Sequence, residues 1–372
     1  MKRRKTFIIT GIFLIILISC TGCLDFFNQV TQKQVTYEQH PTKINYHITY
    51  GYDINITGTG HSTIQYREDF PELLQGTISN IIIHNQLDSQ TKTYLGNEMI
   101  DWNQTFEDSK NIFLGISAEV YAESTLIENL DENLALTTDQ IKTMHHTISN
   151  AYCAPQGNHT TLFINPDNPN ISNTAKAIQM TVNTTNSLTL AKELFTWLKT
   201  HIQYSNHLKD HRIQPASETI LKKTGDCDDL SFLYISLCRA VSIPARFIRG
   251  FLVNDQNGMQ DVIPHVWVEI YVGNNIGNDG WMPIECAGTG IINAEIHQNF
   301  GIEDAFHLRL YTDDGSNASM NLYTNHIMVE YVSGLQINIQ NRSIISQFHI
   351  IESSKLRVTD DTTREYLSLI HI

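Results

Sequence analysis

Three residue types placed along one stretch of this chain can do covalent chemistry together. Cys227 stands at the start of an apolar run, His265 opens an alternating run, and Glu285 closes a shorter one. A thiol, an imidazole and a carboxylate are the parts of an activated nucleophile: the sulfur attacks, the ring moves the proton, and the carboxylate orients the ring. Each is weak alone, because a cysteine in an apolar helix is usually an inert core residue. What matters is whether the elements that carry them can bring them to one place.

Residues 224–250 read TGDCDDLSFLYISLCRAVSIPARFIRG. Thr224-Gly225 breaks the chain, Asp226 is a good N-cap, and Asp229 three residues later completes a capping-box pattern. Leu230, Leu233, Tyr234, Leu237, Cys238 and Val241 repeat with helical spacing, and Phe232, Ile235 and Ala240 fill the other faces. A largely buried helix is therefore expected, with Cys227 as its first residue and Pro244 ending it. A cysteine there meets the positive end of the helix dipole and unpaired backbone N–H groups, which favour a thiolate and can hold an oxyanion. Asp226, Asp228 and Asp229 work against the thiolate, so a cation must come from elsewhere. His265-Val266-Trp267-Val268-Glu269-Ile270-Tyr271-Val272 alternates strictly, which predicts a strand with His265, Trp267, Glu269 and Tyr271 on one face. The turn-rich 273–280 loop then leads to Trp281–Cys286, expected to pair antiparallel and to bring Glu285 to the His265 face.

These stretches resemble the transglutaminase-like superfamily, whose core is related to papain-like cysteine peptidases. The resemblance spans about residues 188–290 and rests on AKELFTWLKTHIQY (191–204), the Gly-Asp-Cys box with its Ile-Pro-Ala-Arg segment, the His-x-Trp strand and GWMPIE. It implies an α+β papain-like core, a nucleophile helix packed on an antiparallel sheet. It also implies a Cys–His–acid triad mapping to Cys227, His265 and Glu285, with Glu where the family usually has Asp. The implied activity is attack on an amide, peptide hydrolysis or transamidation through a thioester, with no cofactor and no metal. Protein or peptide amides would be the substrates. The other class of function is a non-catalytic binding or assembly module that keeps the fold. Tyr204, at the family's Ile-x-Tyr position, is either an accessory group near the site or packing. Trp267 either walls the cleft or fills the core.

The rest of the chain frames that core. With 372 residues, at roughly 150 per domain, two or so domains are expected. Residues 1–22 carry Lys2, Arg3, Arg4 and Lys5, then an apolar run too short to span a bilayer, then Leu17-Ile18-Ser19-Cys20. This predicts a lipoprotein-type signal, with Cys20 (or Cys23) lipidated and the body outside the cytoplasm, anchored at a membrane surface. Without those four basic residues, 21 basic face 39 acidic side chains, a charge of −18 against −14 for the whole chain. A body so acidic repels phosphate backbones, which excludes nucleic-acid binding as the main task. Seven N-x-S/T sequons (Asn55, Asn103, Asn158, Asn170, Asn183, Asn317, Asn341) fit an exposed glycoprotein.

Residues 23–40 read as a polar tether and 41–165 as a β-rich, sandwich-like domain. The strand signals there are 44–50, 53–57, 62–66, 81–83 and 112–120. Residues 166–290 form the transglutaminase-like domain and 291–366 a C-terminal extension. Both flanks resemble those of archaeal surface proteins of this type. A helix is expected over 138–150, whose His145-His146 pair lacks a third ligand and reads as a solvated face. Capping accounts for Asp229 beside Cys227 better than a metal does. Cys153, Cys238 and Cys286 could supply one disulfide, of a pairing the sequence leaves open. LSLIHI (367–372) resembles one frame of a transposase end sequence used in sequencing libraries and reads as adapter, or else as the start of a strand.

Overall fold

The computed structural model describes residues 36–86, 89–127, 130–153, 163–205, 213–256, 259–273, 276–288, 299–316, 319, 327–358 and 366–367. The signal with Cys20 and Cys23, the sequons Asn158 and Asn317, and 368–372 lie outside them.

Strands come first. They are β1 (Thr36–Thr57), β2 (His61–Asp69), β3 (Gly76–His84), β4 (Ser89–Tyr94), β5 (Asn97–Glu107), β6 (Lys110–Glu123) and the short β7 (Thr125–Leu126). In β1 the even-numbered Ile44, Tyr46, Ile48, Tyr50, Ile54 and Ile56 are all buried. The two expected segments are thus one strand, whose apolar alternation never breaks phase. Helices α1 (Thr138–Met144) and α2 (His146–Cys153) follow where one helix was expected. Then come α3 (Pro169–Val182), α4 (Ser187–His201), β8 (Gln203–Tyr204), α5 (Ala216–Lys222), β9 (Thr224–Gly225) and α6 (Cys227–Ala240). The last strands are β10 (Ala245–Gln256), β11 (Met259–Tyr271), β12 (Trp281–Ile284), β13 (Ile302–Glu303), β14 (His307–Thr312), β15 (Ile327–Tyr331), β16 (Gln336–Val358) and β17 (Tyr366–Leu367).

Two sheets, β17-β16-β1-β6-β3 and β15-β2-β5-β4, enclose one core that includes Tyr50, Tyr66, Trp102, Leu114 and Ile116. The C-terminal extension closes both: β16 runs antiparallel along β1 from Thr36↔Val358 to Thr57↔Gln336, and β15 borders β2. Leu367, the first residue of the suspected adapter, pairs with Lys355.

The second core belongs to the α+β unit, as expected. Its sheet is β12-β11-β10-β14, wholly antiparallel. Val266, Val268 and Ile270 of β11 pack on α6, whose residues from Asp229 to Cys238 are all buried. A helix apolar on every face has to be interior. The Tyr234 hydroxyl donates to Ala191 O of α4 at 2.9 Å, and the Ser231 hydroxyl donates to Val266 O of β11 at 3.3 Å. β14 lies between the two cores, with Leu308 and Leu310 in the sandwich and Tyr311 in the helical core.

Candidate active site

Cys227 is the first residue of α6, as its flanks predict. Asp226 N donates to Asp229 Oδ2 at 3.3 Å. Asp229 is fully buried and also accepts from Gln214, at 2.7 Å from the backbone N and 2.6 Å from Nε2, so it pins the incoming loop to the helix start. Gly225 is required just before: a Cβ there would lie 2.5 Å from that of Asp229. β8 pairs parallel with β9, which sets half-buried Tyr204 beside Gly225. Burial, with Cys227, Asp226, Glu285 and Asp228 nearby, pushes the Tyr204 phenol up to about 12.

The thiol is half-buried, donates to Asp228 Oδ1 at 3.6 Å and faces the backbone N–H of Val266. Ser231, one turn further along α6, bonds the carbonyl of the same Val266. One face of α6 therefore aligns both side chains with β11 at the residue after His265. Burial, then Asp228, Asp226 and Glu285, push the thiol well above its ordinary range. Desolvation and these acidic neighbours thus oppose the thiolate that the helix dipole favours.

His265 and Glu285 meet as the two-stranded ribbon requires. β11 and β12 pair in the register Val268↔Ile284, Glu269↔Pro283, Ile270↔Met282, and Glu285 follows the last of these strand residues. His265 Nε2 lies 2.7 Å from Glu285 Oε2. The other carboxylate oxygen accepts from Ala287 N at 2.6 Å. Lys199 Nζ of α4 donates to the carbonyls of Cys286, Ala287 and Gly288, each at 3.0 Å, and so fixes the turn that aims the carboxylate. Burial alone would raise the Glu285 carboxyl, but His265 and His307 outweigh it and hold the group far below the usual range.

His307 is a member the sequence did not reveal. Its Nε2 lies 3.1 Å from the same Glu285 oxygen, and its Nδ1 lies 2.7 Å from Asp304 Oδ1. The only signal was Asp304-x-x-His307 ahead of the alternating HLRLYT, too common a pattern to single out. Trp267 fills the core rather than walling a cleft. It is 1% exposed, its Nε1 donates to Glu303 Oε2 at 2.8 Å, and its ring contacts those of His265 and His307. Below it, Arg309 is buried between Glu269 and Glu303, and Arg246 pairs with Glu269.

The described cysteines, Cys153, Cys227, Cys238 and Cys286, are all free, so no disulfide joins any two of them. His145 is half-buried and pairs through Nδ1 with the Tyr271 hydroxyl at 3.0 Å, while His146 is exposed. Among the described residues, His265, Glu285 and His307 form the one group with ligand atoms close enough for a metal, within 4.8 Å of one another. In this structure both histidine nitrogens lie within hydrogen-bond distance of Glu285 Oε2, at 2.7 and 3.1 Å.

Residues 174–286 match the transglutaminase-like superfamily. The chain thus carries a transglutaminase-like domain, and Cys227, His265 and Glu285 fall inside it while Asp304 and His307 fall outside. No curated protein matches the chain. Among solved structures it is similar to a protein of Cytophaga hutchinsonii provisionally described as a cysteine protease. That likeness has 15% identity over 90% of this chain and 96% of the other, with a TM-score of 0.47. It is also similar to the periplasmic domain of TgpA from Pseudomonas aeruginosa (11% identity, 63% and 86% covered, TM-score 0.31). A Parabacteroides distasonis protein provisionally described as a protease shares 8% identity over 72% of this chain and 47% of its own, with a TM-score of 0.27.

Proposed function

We propose that the transglutaminase-like domain is a thiol enzyme acting on amide bonds, with Cys227, His265 and Glu285 as its triad. The observation that carries this reading is the 2.7 Å bond from His265 Nε2 to Glu285 Oε2. It holds the ring in one orientation through Nε2 and leaves Nδ1 to serve the thiol of Cys227, which lies at the start of α6 beside the backbone of Val266, the residue after His265 on β11. His265 acts as the general base for the thiol. The sulfur attacks the amide carbonyl as its proton passes to the imidazole. The backbone N–H groups at the start of α6 receive the oxyanion. The imidazolium then protonates the leaving amine, and a thioester on Cys227 remains. Water releases an acid; an amine releases a new amide. Outside a cell, where water far outnumbers positioned amines, hydrolysis is the expected course. The lipobox-like 17–20 segment and the acidic body support a protein anchored at the outer face of a membrane, acting on protein or peptide amides there.

The test is to incubate reduced casein with the protein, with and without a fluorescent primary amine, beside Cys227→Ala. New N-termini that depend on Cys227 signify hydrolysis, and incorporated amine signifies transamidation. Absence of both in the wild type would overturn the reading in favour of a binding or assembly module.

A further inference from the structure

We propose that His307, held by Asp304, is a positioning residue for the Glu285–His265 pair, supplied by chain outside the transglutaminase-like match. The inference rests on the triad reading above.

Both ring nitrogens of His307 face carboxylate oxygens, Glu285 Oε2 at 3.1 Å and Asp304 Oδ1 at 2.7 Å. An ionised carboxylate only accepts, so each nitrogen has to bring a proton, and the ring is an imidazolium. Asp304 is itself fixed, with Oδ1 accepting from Phe306 N at 3.1 Å. The titratable groups around His307 are Glu285 after β12, Asp304 on its own loop and His265 on β11. His40 on β1 is linked through Asp304, with its Nε2 3.8 Å from Asp304 Oδ2. Trp267 and Leu252 contribute uncharged contacts. The side chain is 6% exposed, so little solvent screens it.

This arrangement does two things for the triad. It anchors the Glu285 oxygen that His265 uses, while Ala287 N holds the other oxygen. It also balances charge. Without His307, two carboxylates would stand behind the ring that has to take the proton from the thiol, with no cation between them. With His307 the net charge behind His265 is a single negative, enough to orient the ring and to receive the proton during attack. The two imidazole rings lie 5.7 Å apart, close enough for each charge to bear on the other.

The experiment measures iodoacetamide labelling of Cys227 against pH on the full chain, for wild type, His307→Gln, Asp304→Asn/His307→Gln, and His265→Ala. His307→Gln is expected to move the acid-side midpoint of labelling up by about one pH unit. The double variant, which restores the net charge, is expected to bring it at least halfway back. A merely structural role would lower stability without moving the midpoint, and an unmoved midpoint in His307→Gln overturns the proposal. If that variant does not fold, ring-labelled histidine NMR of the wild type decides: His307 must keep both ring protons at pH 7, and a singly protonated ring there overturns the proposal. If wild type and His265→Ala label alike, it is the triad reading that fails instead.

Discussion

One carboxylate oxygen, Oε2 of Glu285, takes a hydrogen bond from each of two imidazoles, and that sharing defines the site at the scale of single residues. A longer acid than the family's usual Asp does this from the position after β12. The consequence for stability has a definite sign. Glu285 is held below its unfolded value, so its contribution is complete above the ordinary glutamate range. It is lost as pH falls through the depressed folded value. The difference in melting temperature between wild type and Glu285→Gln should therefore be widest from about pH 5 to 7 and should shrink below about pH 4. Melting curves followed by circular dichroism from pH 3 to 8 check this. Glu68, which burial pushes up to about 8, titrates in the same range but is common to both proteins and cancels. A difference that grows as the solution is acidified would contradict the assignment. The bond between His265 and Glu285 and the place of Cys227 at the start of a helix were legible from type and spacing. The surroundings of the thiol were not, because how deeply Cys227 is buried beside Asp228 is set by the packing of α6 rather than by the local sequence.

Elements decide what reaches that carboxylate. α6 and β11 were legible because their signals are local: a Gly-Asp break, an unbroken apolar helix and a Pro on one side, a strict alternation on the other. β14 was not, because HLRLYT reads like any short strand and its partner lies far back in the sequence. The closure depends on Gly250, which pairs with His265 on one side and Arg309 on the other, at an irregularity in the register. A Cβ at Gly250 would stand 2.0 Å from Leu308 O and 3.0 Å from the Trp267 ring. Gly250→Ala is thus expected to push β14 off β10 and His307 away from Glu285. The cost is about 2 kcal/mol, typical of an overpacked interior. Thermal unfolding and the rate of Cys227 labelling should both suffer. A variant that melts and labels like wild type would show that the strand needs no such approach.

The whole molecule is closed by its own C-terminal part. The sequence suggested a β-rich domain, a transglutaminase-like domain and an extension in series. The structure returns the extension to both earlier parts: β15 and β16 complete the two sheets of the sandwich, and β14 with Asp304 and His307 completes the sheet and hydrogen-bonded chain of the α+β unit. Such pairing is decided by register across hundreds of residues, which no local pattern encodes. The site draws on β11, α6, the turn after β12 and the start of β14, four separated pieces that only the folded chain brings together. The central claim, that this assembly turns Cys227 into a nucleophile served by His265, is met most directly by one measurement. The folded protein is treated with iodoacetamide at pH 7, and the rate at Cys227 is followed by peptide mass in wild type and His265→Ala. Wild type is expected to label at least about ten-fold faster, because without the imidazole nothing takes the proton from a half-buried, acid-flanked thiol. Equal rates in the two proteins would contradict it.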